Sequence, residues 1–466
     1  MQPVSKKIIP FIISLASLMQ ALDVTIINTA IPTMAAHLKV NPVDMKIALI
    51  SYLMALAIFI PISGWVADKF GAKRVFTYAL AIFTASSLWC GFAHNLLELI
   101  IARSVQGIGG AMMLPVGRLI IVRTFPRNKI VGVMNRVITI ASIGSMLGPV
   151  IGGILTYYFS WSWIFWINIP IGLAAIVMIQ HSLPDILQQE TPPLDLLGFI
   201  LFGGSLAGFT FGIALISQST SYSLLATMII AASILVFFLY IWHSRHQSYP
   251  IVKTALLRYR TFKTAISANL WARLGFSGIP FLVPLLLQVV LGYSSYESGL
   301  LVAPIAGGLL IAKQVSLPLL RVLGYKKLLI INTLFVGVSL WSLMLITQDT
   351  SIAMIVSLTF IFGFLTSIQY TGMNTLAYAG IATEDLSAAT SIMSTLQQLS
   401  QSFGVAAAAL CLHLFAASRT AAGSLLTTGT FQHTFFTLGV VTMISIIIFT
   451  ALKPGDGLEM LVREAK

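Results

Sequence analysis

The sequence is short of charge. Only 9% of its 466 residues are Asp, Glu, Lys or Arg, and no more than 14 are acidic, where an average soluble domain is about 25% charged. A soluble surface of this size cannot be built from so few charges. Disorder and coiled coil are excluded on the same ground. The two cysteines, Cys90 and Cys411, both sit inside apolar runs, which suits neither a disulfide framework nor a thiolate zinc site. No Walker-type phosphate loop occurs, so an ATP-driven pump within this chain is not expected. The seven histidines are scattered, with His243 and His246 the only near pair. With no Ser/His/Asp set and no metal cluster in view, neither an enzyme nor a cofactor is expected.

What is abundant is apolar surface: 57% of the residues are hydrophobic. Runs of roughly 20 such residues, enough to cross about 30 Å of hydrocarbon, fall at 8–30, 47–67, 75–93, 97–121, 132–157, 163–181, 196–216, 224–242, 264–290, 298–320, 327–346, 351–378, 388–415 and 432–452. The chain therefore reads as an all-α polytopic membrane protein with 14 spans. Its first run follows Lys6 and Lys7, but it is longer than a signal-peptide core of about 7–15 residues and contains Asp23. It is read as a retained helix.

Basic residues sort by side. One set of connections holds Lys6, Lys7, Lys69, Lys73, Arg74, Arg123, Arg127, Arg245, Lys253, Lys326, Arg463 and Lys466 among others, and the opposite set only Lys39, Lys46 and Arg419. The positive-inside rule then puts both termini in the cytoplasm, as expected for a bacterial inner-membrane protein. The net charge of +13 serves topology and contact with anionic lipid rather than nucleic acid. The longest connections are Ser182–Asp195, with Pro192 and Pro193, and His243–Lys263; two uncharged spans lie between them. No long extramembrane segment argues for a periplasmic adaptor.

A repeat is visible. Gly64-Trp-Val-Ala-Asp68-Lys69-Phe-Gly71-Ala-Lys73-Arg74 separates spans 2 and 3, and Leu317-Pro318-Leu-Leu-Arg321-Val-Leu-Gly324-Tyr-Lys326-Lys327, 253 residues later, separates spans 10 and 11. Setting aside spans 7 and 8 makes the halves equivalent: an N-terminal six-helix bundle over 1–190, two inserted helices over 191–245, and a C-terminal six-helix bundle over 246–466. Parallel halves of this kind are one route to alternating access.

At this point the chain resembles the major facilitator superfamily, in its fourteen-helix drug:proton antiporter branch. The loop at Gly64–Arg74 is similar to the family's signature between spans 2 and 3. Leu22-Asp23-Val-Thr25-Ile-Ile-Asn28-Thr-Ala30-Ile-Pro32 resembles the branch's first-span motif, and Arg103-Ser-Val-Gln106-Gly107-Ile-Gly109-Gly110-Ala111 its fourth-span motif. Gly144-Ser-Met-Leu-Gly148-Pro149-Val-Ile-Gly152-Gly153 is similar to the antiporter motif, and Trp163-Ile-Phe165-Trp-Ile-Asn168-Ile-Pro170-Ile-Gly172 opens span 6 as in this branch. The five matches stand in order at the expected spans, and the resemblance covers nearly the whole chain. They imply a major facilitator fold exporting drugs or other amphipathic small molecules from the cytoplasm, driven by proton entry. Export of an endogenous anionic or zwitterionic metabolite is the alternative.

Asp23 is the only carboxylate deep in a predicted span. Ionisable groups there are costly and default to function, so Asp23 is a candidate for carrying a proton or binding substrate. The structural reading, an Asp bonded to Thr25, Asn28 or a neighbouring helix, stands beside it. The resemblance implies proton coupling for Arg103, against a plain helix-to-helix bridge, and Gln106 is expected to line the cavity. Asp68, Lys69, Gly71, Lys73 and Arg74 are expected to gate, with Gly64 in the same loop, or else simply to mark a cytoplasmic turn. Gly144, Gly148, Gly152 and Gly153 with Pro149 are expected to let span 5 pack closely on a helix of the other half. Pro280, Pro284 and Pro304 are candidate weak points. The charges inside spans are mostly basic: Arg103, Arg118, Arg136, Arg273 and Lys313 against Asp23. A cavity lined by Arg273 and Lys313 would favour an anion, unless one of them pairs with Asp23.

Overall fold

Without water to bond to, a backbone in hydrocarbon must satisfy itself, and the apolar runs fold as helices. The computed structural model describes residues 8–182, 191–216, 223–382, 385–417 and 426–460. Lys6, Lys7, Arg419, Arg463 and Lys466, used above for orientation, lie outside the described residues, as does part of the 182–195 connection. The helices are α1 (Ile8–Leu38), α2 (Lys46–Phe59), α3 (Ser63–Phe70), α4 (Ala72–Gly91), α5 (Leu96–Thr124), α6 (Arg127–Tyr158), α7 (Trp163–Trp166), α8 (Asn168–Ser182), α9 (Leu196–Ile216), α10 (Ser223–His246), α11 (Arg260–Phe276), α12 (Ile279–Leu285), α13 (Ser295–Ser342), α14 (Ile352–Leu376), α15 (Leu386–Ala417) and α16 (Thr428–Thr450). The starts of α5, α13, α14 and α16 are capped by side chains. Asn95 accepts from the Glu98 amide at 2.9 Å, and Ser294 with Glu297 forms a capping box.

Among the described residues, 12 stretches are long and apolar enough to cross a membrane. One of them, Ser295–Leu345, is 51 residues long, roughly twice what one crossing needs. It is interrupted at Gly324, whose φ of 69° leaves the helix. The 20-residue α4, which carries Lys73 and Arg74, is not among the 12. Pro280 and Pro284 break span 9 as expected: α11 stops at Phe276, α12 is short, and a wide π turn follows at Leu286–Val290. Pro304 does not break α13, nor Pro149 α6.

The chain divides into two compact units, Met1–Phe211 with Met228–Ile251, and Gly212–Thr227 with Val252–Lys466. In the first, α1 lies along α6, and α5 along α2 and α4. The second repeats the pattern, with α11 along α15 and α14 along α13. Glycine sets the closest approach. A Cβ on Gly144 would lie 2.9 Å from the Leu18 carbonyl oxygen, and Cβ atoms on Gly148 and Gly152 would overlap Thr25 and Ile26. The face is thus filled by α1 of the same unit, which corrects the expectation that it meets the other half. Four-residue spacing tells that a partner is close, not which helix it is.

The repeated loop is repeated in geometry as well. Gly71 has φ 91° and Gly324 φ 69°, each a turn that a side chain would strain. Two residues on, Lys73 Nζ donates to the Gln180 carbonyl at 3.2 Å, and Lys326 Nζ to the Thr450 carbonyl at 2.8 Å. Each lysine therefore closes the C-terminal end of a helix of its own unit, α8 in the first and α16 in the second, where unpaired carbonyls favour a cation.

Candidate functional site

The first unit buries an ion pair at mid-span. Asp23 is 0% exposed and Arg103 1%. Arg103 reaches from α5 to α1, its Nη1 donating to Asp23 Oδ2 at 2.6 Å. The same nitrogen donates to Gln106 Oε1 at 2.6 Å, while Gln106 Nε2 donates to Asp23 Oδ1 at 3.0 Å and to Ser87 Oγ at 2.7 Å. From α8, Asn168 Nδ2 adds a third donor to the carboxylate, at 3.2 Å from Oδ1. The guanidinium lies 4.2 Å from the Tyr52 ring centre and 5.7 Å from that of Phe165. A cation between two rings is attracted by their faces, the more so where water is excluded.

Local sequence explains the convergence. Arg103 and Gln106 are three apart on α5 and share a face, turned toward α1 because Gly107 and Gly110 let α2 come close on the adjoining side: a Cβ on Gly107 would lie 2.6 Å from the Tyr52 carbonyl oxygen. Two polar atoms of the cluster, Arg103 Nε and Asn168 Oδ1, are buried without a hydrogen-bond partner. The network is held but not saturated. Burying two charges costs about as much as their attraction returns, so such a pair is weak evidence of a purely stabilising role. Beside Asp23 Oδ2, Gln106 Oε1 gives the same guanidinium nitrogen a second, uncharged acceptor.

Other expected residues fall elsewhere. Asn28 bonds its own helix, at 3.4 Å from the Thr25 carbonyl, and among the described residues does not join Asp23. Gln106 is buried in the network rather than lining an open surface. Asp23 pairs with Arg103, not with Arg273 or Lys313. Lys313 lies exposed on α13, as Arg118 and Arg136 do on α5 and α6. In the loop, Asp68 pairs with Arg123 at the end of α5, Lys69 stands 4.7 Å over the Trp65 ring, Gly71 makes the turn, Gly64 is exposed with open space around it, and Arg74 is exposed. Trp65 Nε1 also donates to the Pro192 carbonyl at 2.8 Å, tying the loop to the chain that enters α9.

Sequence reasoning did not single out Tyr52, Ser87 or Asn168 as site residues. It also missed the surroundings of Arg273. There Nε donates to Asn269 Oδ1 at 2.6 Å, the guanidinium lies 4.1 Å from the Tyr370 ring centre, and Asn374 Oδ1 accepts from Asn269 at 3.4 Å and from Gln397 at 3.1 Å.

Comparison with known proteins agrees with this architecture. The profile of the Major Facilitator Superfamily matches residues 13–195 and 196–405. The "Putative multidrug resistance protein MdtD" of Escherichia coli O157:H7 is 34% identical over 449 residues, covering 96% of this chain and 94% of that protein. The "Probable transport protein HsrA" of Haemophilus influenzae is 36% identical over 450 residues, covering 96% of both. Among solved structures, the POT family transporter PepTSo superposes with a TM-score of 0.70 at 13% identity, over 96% of this chain and 98% of that one. A D-xylose-proton symporter does so with 0.68 at 13%, over the same shares. These last two share the fold alone.

Proposed function

This chain belongs to the Major Facilitator Superfamily, and on that footing we propose that it is a proton-coupled exporter of amphipathic small molecules, with Asp23 as the group that carries the proton. Membership makes it a multi-pass membrane protein and a secondary transporter rather than an enzyme. The finer reading has 14 spans, counting α4 and both arms of α13, arranged as bundles over 1–190 and 246–466 with the inserted helices of 191–245 between them. Both termini are cytoplasmic, in a bacterial inner membrane. The name of the MdtD relative supports drugs as substrates.

One observation carries the coupling: a carboxylate and a guanidinium, each 1% exposed or less, are joined at mid-span with an alternative acceptor on the same nitrogen. In the proposed cycle Asp23 takes a proton from outside as substrate leaves, Arg103 shifts its bond wholly to Gln106, and the proton passes to the cytoplasm as the bundles rock. Asp68 with Arg123, and the turn at Gly71, gate the cytoplasmic side. The test is flux in proteoliposomes under an imposed proton gradient, with tetraphenylphosphonium as cation and a naphthalenesulfonate as anion. Asp23→Asn should abolish gradient-driven flux while the protein stays folded; unchanged flux would sink the assignment. Export of an anionic or zwitterionic metabolite is the second reading, favoured by Arg273, for which no carboxylate partner exists among the described residues.

A further inference from the structure

We infer that Arg273, Tyr370 and Asn374 of the second unit form a binding site for the anionic group of an aromatic substrate, a carboxylate or sulfonate. The inference rests on the transport reading above and names the substrate chemistry that one part of the transporter accepts.

Arg273 is 7% exposed on α11, well inside its span. Its Nε is committed to Asn269 Oδ1, which fixes that amide with its oxygen toward the arginine and its nitrogen away. The nitrogen donates to Asn374 Oδ1, which also accepts from Gln397. Both bonds fix the Asn374 amide in turn, leaving its own NH₂ without an acceptor among the described residues. The terminal nitrogens of Arg273 have no acceptor there either, yet they are not among the sealed, unpartnered atoms, so they reach accessible space. The site is therefore rich in donors and poor in acceptors. A guanidinium removed from bulk water without a counter-ion is costly, and an incoming anion supplies what is missing. A guanidinium presents its donors as a fork that fits a carboxylate or sulfonate, whose oxygens accept in pairs.

Tyr370 narrows the class. Its ring covers one face of the guanidinium at 4.1 Å and is itself packed edge-on by Phe276 at 5.3 Å. This rigid, half-buried aromatic wall beside the cation suits a planar apolar body attached to the anion. The first unit makes the contrast. Arg103 also lies against aromatic rings but already holds Asp23, so it has no charge to offer a substrate.

The test is equilibrium binding of radiolabelled 2-naphthalenesulfonate to the full chain in lipid nanodiscs, without any gradient. Saturable binding is expected. Arg273→Gln should weaken it at least tenfold, about 1.4 kcal/mol. Tyr370→Leu should weaken it several-fold, and Tyr370→Phe should hold it. Thermal unfolding midpoints show which variants fold; if Arg273→Gln does not, Arg273→Lys takes its place, since it keeps the charge, loses the fork, and should also weaken binding. Repeating the measurement with phosphatidylglycerol in the discs separates a soluble anion from a lipid headgroup, which would compete for the same donors. Wild-type protein that does not bind the sulfonate saturably, or Arg273 variants that bind it undiminished, would overturn the site. Should that happen while proton-driven flux still requires Asp23, the coupling reading survives and the anion site alone falls.

Discussion

The Asp23–Arg103 pair makes a quantitative prediction about coupling. Arg103 has two acceptors, Asp23 Oδ2 and Gln106 Oε1, and its Nε has none. Asp23→Asn removes the negative charge and leaves a guanidinium at 1% exposure with one firm acceptor. Removing one partner of a buried pair costs about 3–5 kcal/mol. Arg103→Gln strands the carboxylate in the same way, with only the Gln106 and Asn168 amides as donors. The double variant strands no charge and fills similar volume, so it should cost less than either single change. The two singles and the double then close a cycle with an interaction energy of at least about 3 kcal/mol. Equilibrium unfolding in mixed micelles of dodecyl maltoside and dodecyl sulfate measures all four proteins. Single costs that simply add would mean that the pair is not closed in the folded protein, and the switch built on it would lose its basis.

The glycine face of α6 gives a second prediction. Gly148→Val drives a side chain into Thr25 and should destabilise by about 1–3 kcal/mol, in the same unfolding assay; stability equal to wild type would show that α1 does not lie where it is described. For the paired lysines, Lys73→Met should expose backbone amides near the end of α8 and Lys326→Met those near the end of α16, each with a global cost of about 0.3–1 kcal/mol. Hydrogen exchange reads this by peptide, and unchanged protection in both variants would refute the capping role.

Spans and turns were readable because they depend on local composition. The loop glycines are the clearest case: Gly71 and Gly324 were placed by a repeat of residue types, and both have positive φ. Partners across helices were not readable. Asp23 and Arg103 were each singled out, yet nothing along the chain said that α1 and α5 place them 2.6 Å apart. Tyr52 and Ser87 escaped notice, and Asn168 was seen only as part of the span 6 motif, because single uncharged polar residues in apolar runs have no period and, unlike charges, little cost that demands an explanation. One signal was available and unused: Asn269 and Arg273 are four apart, the spacing at which helix side chains meet, and their bond is 2.6 Å.

The two units repeat their skeleton without repeating its chemistry. Gly107 of α5 and Gly363 of α14 occupy matching places, since a Cβ on the first would press the Tyr52 carbonyl and on the second the Ile305 carbonyl, and Ile305 follows Tyr52 by the same 253 residues as the loop repeat. Carried along the helix from those glycines, Arg103 corresponds to Thr359 and Gln106 to Phe362. Thr359 is satisfied by backbone carbonyls, including Leu301 at 3.1 Å, and Phe362 is buried. The level that holds charge in the first unit is therefore neutral in the second. The second unit's buried charge is Arg273, set among amides rather than acids. Duplicated turns thus go with unduplicated charges: one unit buries a carboxylate with its guanidinium, the other a guanidinium set among amides, which stays charged at any physiological pH. On the proposed cycle, a proton at the first place and an anion at the second would not compete for the same residue, so exchange of one against the other needs both places intact.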